Sequence, residues 1–499
     1  MQSKSRLLFG ILILLSSTKF NLLNAEGPPR PSAAQIKKLE ADGDRFADQG
    51  DYKSALEKYT EAAHGIVTKI RGQKFTQRVL PSLLTRKELG TEMLRMMEKE
   101  YTADDLLLMD SAYKAFGLIP IDMDSQKLIT NLLTEEVAGF YDPDSKRMVL
   151  IQEEGAKQDP GWFGRLLGAK AGFDKDEQKT TLAHEMTHAL QDQLYDLNAM
   201  QKGIKKDDDM LLAFSALVEG DATLLMFAEL DSGEDITQAD PEAMRTMFNL
   251  MSWMLPLAGG KTYRSAPPIF RESMIFPYFQ GMIFNLYLAG KGGWNAIHES
   301  YAHPPISTEQ ILHPLKYLPG DDFDAPQSVT IPALTETVGE AWRQVGGNCL
   351  GELQTSIMLK SVAGGTRAAE GWDGDRYQIF RREDGKLGLV SVSIWDSQLD
   401  AEEFAKAYRT YRNSSKHLST QAERRRTSEE LDSADENTTD SGSESTAESI
   451  FDLAVVSEVR VENNQVWILE GFTMDAVQSI TPVLKNCSFD EKQFPLPQH

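Results

Sequence analysis

The chain has 499 residues, 41% of them hydrophobic and 25% charged, with a formal net charge of −23. That length exceeds one ordinary core, so two or three domains are expected. The acidic excess excludes nucleic acid as a partner, because phosphates need a basic face, and it argues against docking on an anionic membrane.

Taken in chain order, Lys4 and Arg6 precede an apolar run, Leu7 to Leu15, and Ala25 lies just before a polar, Pro-rich stretch. This is the pattern of a secretory signal peptide over residues 1–25, so the expected location is secreted or periplasmic, with no stable membrane insertion after cleavage. The later apolar stretch Leu211–Leu230 is broken by Ser215, Glu219, Asp221 and Glu229. Residues 26–75 read as a helical hairpin with turns at Gly43, Asp44, Gly50 and Asp51. The string from Gly50 to Leu56, followed by Tyr59, resembles one tetratricopeptide repeat. One such repeat is expected to cap the next domain rather than to form a binding array.

Residues 76–323 form the second expected domain. Arg78 to Thr134 reads as helices from apolar spacing. Two short strands follow at 137–144 and 147–151, joined by an Asp-Pro turn, then a loop-like insert at Gly161–Lys175. Helical periodicity returns at Asp176–Tyr195, Asp208–Leu230, Pro241–Met254 and Phe276–Leu288, and His303–Tyr317 reads as an ordered, proline-bounded loop. Residues 324–499 read as an α+β domain. It has helices near Thr335–Val345 and Leu350–Val362 and a turn at Gly371–Asp375. Strands at Arg376–Arg381 and Leu387–Ile394 and a helix at Ala401–Tyr411 come next. Two more strands, at Leu453–Val461 and Val466–Glu470, precede a helix at Met474–Leu484. The Ser-, Glu- and Thr-rich insert 420–449 lacks the apolar residues to order itself. The fold class overall is α+β, with a mainly helical central domain carrying a small sheet. Cys349 and Cys487 are consistent with a disulfide or with two separate thiols.

The chemistry is concentrated in one stretch, Thr180 to Asp192. His184 and His188 are four apart, so on a helix both imidazoles leave the same face and can meet one zinc ion at about 2.0–2.1 Å. Glu185 is placed to act on a metal-bound water as general base. The small apolar flanks, Thr181-Leu182-Ala183 and Ala189-Leu190, suit a helix buried under a cleft. A catalytic zinc holds three protein groups, and a third histidine is excluded because positions 191 and 194 are Gln191 and Leu194. Glu219, an acid within an otherwise apolar helix, is the third ligand candidate, since a buried carboxylate needs a metal or a strong partner. Gly220 and Ala222 are expected to let its helix lie close to the histidine helix.

These motifs resemble the gluzincin branch of the zincin metallopeptidases. His184-Glu185-Met186-Thr187-His188-Ala189 with Asp192 is similar to the thermolysin group, and Val218-Glu219-Gly220-Asp221-Ala222 to the aminopeptidase N group. The resemblance spans residues 135–320. It implies His184, His188 and Glu219 as ligands of one catalytic zinc ion, Glu185 as the base, and a peptide or protein as substrate. The gap to Glu219 is longer than in those families, Thr223 stands where the thermolysin group has Asp, and the aminopeptidase Gly-Ala-Met-Glu-Asn string is missing. An internal peptide bond is therefore the expected target.

Secondary candidates surround this centre. Gly139 and Tyr141 lie on a strand that either pairs with substrate backbone or is purely structural. His313 is first choice as the donor that stabilises the transition state, with Tyr278, Tyr317 and Tyr141 as competitors. Asp192 and Asp221 either orient the zinc histidines or face solvent. Trp372, Asp373, Asp375 and Trp395 read as a structural turn rather than a calcium site. The rival readings are a non-catalytic exported scaffold and an amide hydrolase acting on cell-wall peptides.

Overall fold

A computed structural model describes residues 31–136, 139–142, 146–151, 175–230, 235–251, 259–414 and 456–496. The expected signal peptide, most of the 161–175 insert and the whole acidic insert lie outside the described residues. The fold is α+β, with a helical N-terminal region.

Contacts divide the chain into two units. One comprises residues up to Leu106, Asp124–Asp324 and Gln493–His499; the other comprises Leu107–Met123 and Ala325–Lys492. The central stretch 76–323 is therefore not one continuous domain. Leu108, Ala112, Ala115 and Phe116 join the core around Trp372, Tyr377 and Trp395, so 107–123 belongs with the C-terminal unit. Helical spacing reveals which residues are buried but not which core they enter.

The first unit opens with the hairpin α1, Ala33–Asp48, and α2, Tyr52–Arg71. Ser32 and Gln35 form a capping box at its start, Asp51 caps α2, and Gly72 ends it at φ 69°, the left-handed conformation glycine adopts without strain. A Cβ on Gly43 would stand 2.4 Å from the Tyr59 ring, so glycine there sets how closely the helices pack. A three-stranded sheet follows, with Arg147–Ile151 in the middle and Leu80–Leu84 and Gly139–Asp142 at its two edges. Strands β2, Gly139–Asp142, and β3, Arg147–Ile151, lie where two strands were expected and pair antiparallel; the expected Asp-Pro turn between them extends outside the described residues. The strand β1, Leu80–Leu84, lies where helix was expected; it pairs parallel with β3, and its run of Leu, Pro and Ser has no alternation to betray it. Four long helices complete what positions the site: α2, the histidine helix Lys175–Tyr195, the glutamate helix Asp208–Leu230, and Pro268–Gly292. The last begins well before the expected Phe276 and runs through Pro277. The expected loop at His303–Tyr317 contains two single-turn helices, Thr308–Leu312, capped by Ser307, and Pro314–Tyr317.

In the second unit the strand β4, Gln327–Thr330, precedes an antiparallel sheet that runs β5-β6-β7-β9-β8, built from Arg343–Asn348, Trp372–Arg381, Leu387–Trp395, Gln465–Phe472 and Val456–Glu462 in that order. The helix expected at 335–345 is absent among these residues. Gly339 turns at φ 94°, and β5 pairs with β6 through Gly346 and Gly347; a Cβ on Gly347 would lie 2.4 Å from the Tyr377 carbonyl. The expected turn at Gly371–Asp375 is instead a bulge at the start of β6. There Asp375 accepts N–H donors from Leu350, Gly351 and Trp372, and Asp373 accepts from Gln327, which are structural roles. No disulfide joins the two cysteines: Cys349 lies in the core and Cys487 is half-buried.

Candidate metal centre

One face of the histidine helix is spent on packing. Leu182, Ala183, Met186, Ala189 and Leu190 meet Ala55, Leu56, Tyr59, Ala63 and Val67 of α2 in one core. The 3.6-residue period then turns His184, Glu185 and His188 to the other side, beside the glutamate helix. That second helix has the length and apolarity of a membrane span, yet 94% of its most apolar 18-residue stretch is buried within the protein, as a core helix is. Gly220 does not face the histidine helix. A Cβ there would stand 2.0 Å from the backbone of Gly281, and a Cβ on Gly281 would stand 2.0 Å from the Ala216 carbonyl, so two glycines bring the glutamate helix against Pro268–Gly292. Asn285 ties the same contact by donating to the Leu217 carbonyl at 3.1 Å.

The result is a triangle of ligand-type atoms. His184 Nε2 and His188 Nε2 are 3.1 Å apart, and they lie 3.2 and 3.3 Å from Glu219 Oε2. Atoms held at about 2.0–2.1 Å from a tetrahedral zinc stand roughly 3.3 Å from one another, so the donor set fits the ion in type and spacing. All three residues are buried, Glu219 at 2% exposure. Burial raises the Glu219 carboxyl, and the two imidazoles more than offset it, holding the group well below the usual range. Burial lowers His188, and Glu219 more than reverses this, holding the ring above the usual imidazole range. A triad that so favours paired charge also favours a divalent cation among its atoms.

Glu185 points beside the triangle. Its Oε2 accepts the backbone N–H of Tyr141 at 2.8 Å, which fastens strand β2 at the sheet edge to the site. Burial holds this carboxyl above its ordinary value, with His184 and His188 pulling the other way. Gly139 lies on the same strand, opposite Leu150 of β3.

The remaining expectations are redistributed. Asp192 does not approach a histidine in any described hydrogen bond; its Oδ2 accepts from the Tyr141 hydroxyl at 3.2 Å and from Lys146 at 2.6 Å, which pins the β2–β3 hairpin. That engages the Tyr141 hydroxyl, and the Tyr317 hydroxyl likewise donates to the His303 carbonyl at 2.7 Å. His313 follows the Thr308–Leu312 turn, with its backbone N–H donating to the Glu309 carbonyl at 2.7 Å. The aromatic ring stacked on His184, at 6.0 Å between centroids, is that of Tyr278. Burial and then the Glu219 and Glu185 charges push the Tyr278 phenol well above its usual range, so it stays a donor.

Comparison with known proteins bears on the other unit. A family model described as a domain of unknown function (DUF8575) matches residues 336–481. No curated protein and no solved structure matches the chain.

Sequence reasoning missed Gln191 as a site residue. Its Oε1 lies 2.8 Å from His188 Nδ1, and its Nε2 reaches Asp221, so Asp221 acts on the histidine only through this amide. Gln191 follows His188 by three positions, a helical spacing that places it on the same face. Behind Asp221 stand Arg71 and Tyr301, which no local pattern singles out.

Proposed function

We propose that the chain is an exported zinc-dependent metallopeptidase that hydrolyses internal bonds of a peptide or protein substrate. The observation that carries this reading is the triangle of His184, His188 and Glu219 donor atoms at 3.1 to 3.3 Å, with the Glu185 carboxylate fixed beside it. His184, His188 and Glu219 would hold the zinc ion, which supplies Lewis-acid polarisation of a carbonyl and of a water molecule.

Glu185 accepts the proton of the attacking water and returns it to the leaving amine. A carboxyl held above its ordinary value by burial suits that exchange better than a solvated one. Strand β2 offers its edge to an extended peptide, so substrate backbone adds to the sheet while the Tyr141 N–H keeps Glu185 in register. Tyr278, protonated and stacked on His184, donates to the developing oxyanion in the role first given to His313.

Zinc content decides first. The chain lacking residues 1–25, resupplied with zinc, is expected to carry one ion per chain by elemental analysis, and Glu219→Ala to lose it. Glu185→Gln is expected to retain the ion and to cleave a peptide library about 10²–10⁴-fold more slowly. A wild-type chain that takes up no zinc defeats the reading.

A further inference from the structure

Arg71 ends α2 with a fully buried guanidinium that donates to Asp221 Oδ1 and lies 5.2 Å from the centre of the Trp294 ring. The other oxygen, Asp221 Oδ2, accepts from the Tyr301 hydroxyl at 3.0 Å and from Gln191 Nε2 at 2.9 Å. Gln191 Nε2 also donates to the Val218 carbonyl at 3.0 Å. A carbonyl and a carboxylate only accept, so both demand the NH₂ end of the amide. Gln191 Oε1 is thereby turned toward His188, where it too can only accept. His188 Nδ1 must carry the hydrogen, so in the neutral ring that a metal needs it is Nε2 that presents its lone pair to the centre of the triangle.

We propose that Arg71, on the N-terminal hairpin, is a positioning residue of the metal centre: with Asp221 it locks the Gln191 amide and so fixes the tautomer and ring angle of His188. The proposal rests on the metallopeptidase reading for what His188 is held to do. It makes the hairpin part of the site rather than an appended binding module. Without the guanidinium, Asp221 loses its charge partner and can turn Oδ2 away from Gln191. The amide can then rotate, and His188 loses its preference between ring nitrogens.

The test measures zinc affinity by chelator competition, with thermal unfolding of the zinc-free chain alongside. It compares wild type with Gln191→Leu and with the charge-neutral pair Arg71→Met/Asp221→Asn; Arg71→Met alone would strand a buried carboxylate. Both variants are expected to unfold cooperatively and to bind zinc about 10–100-fold more weakly than wild type. In the zinc-free chain, held in buffer alkaline enough to leave His188 neutral, nitrogen-15 spectra are expected to show the Nδ1–H tautomer of His188 in wild type and a mixture in either variant. Folded variants with wild-type affinity and tautomer overturn the proposal. So does a double variant that fails to fold, because the pair would then be a strut between helices. A wild type that binds no zinc but keeps the Nδ1–H tautomer defeats the metallopeptidase reading and leaves the relay standing.

Discussion

Each unit of the protein buries a glutamate to 2% exposure, and the two are answered in opposite ways. In the second unit Glu470 is held by Arg412, by the Tyr408 hydroxyl at 2.9 Å and by Ser457 at 3.4 Å. One cation and two hydroxyl donors satisfy the carboxylate, and nothing in that arrangement converges on a point in space. In the first unit Glu219 faces two imidazole nitrogens, and the three donor atoms surround a common centre. Burial of a carboxylate therefore does not mark a site by itself; the identity and convergence of its partners do.

The sharpest way to break this comparison is to remove each glutamate. Glu470→Ala removes the carboxylate that answers the buried Arg412 charge and is expected to destabilise the fold by about 3–5 kcal/mol, read by denaturant unfolding. Zinc uptake by the variant should stay at the wild-type level. Loss of zinc in Glu470→Ala would make the contrast between the two glutamates untenable. A smaller effect is expected at Gly220. Its added methyl would meet the Gly281 backbone, which has no rotamer by which to move aside. Gly220→Ala should cost about 2–3 kcal/mol and, unlike Glu470→Ala, should also weaken zinc binding, because the displaced residue is next to Glu219.

The parts of this site legible in the sequence are those set by one helix. His184, Glu185 and His188 share a turn, and Glu219 stands out as an acid among Leu, Ala and Val. Gln191 was within reach by the same spacing argument. Arg71 was not, because 150 residues separate it from Asp221 and only the packing of α2 beside the histidine helix brings them together. Asp192 was misassigned for a related reason. Periodicity gives a residue's face on its helix, whereas its partner, the Tyr141 hydroxyl, comes from a strand. In the fold, the strands β6, β7 and β9 were readable from their apolar content. The strand β1 was not, since parallel pairing with β3 supplies what its sequence lacks. The helix expected near 335–345 failed because apolar spacing outweighed Gly339, whose left-handed turn ends any helix there.

A third carboxylate sharpens the comparison further because it is answered by neither arrangement. Glu229, on the last turn of the glutamate helix, has a buried Oε2 that accepts no hydrogen bond from the described residues. Burial, then the Glu40 charge, push its carboxyl up to about 7 from an ordinary 4.5, with Lys179 offsetting part of the rise and Asp176 adding to it. The folded chain thus binds this proton more tightly than the unfolded chain. The stabilisation is fully present below pH 4.5 and is lost as pH rises through about 7. Glu229→Gln carries a neutral side chain of the same shape at every pH. It should match wild type in thermal unfolding at acidic pH and exceed it by about 1–2 kcal/mol in mildly alkaline buffer, a gain discounted for partial solvent access. Equal unfolding temperatures across that range would mean that Glu229 finds a partner when ionised. It would then stand with Glu470 as an answered charge rather than apart from both.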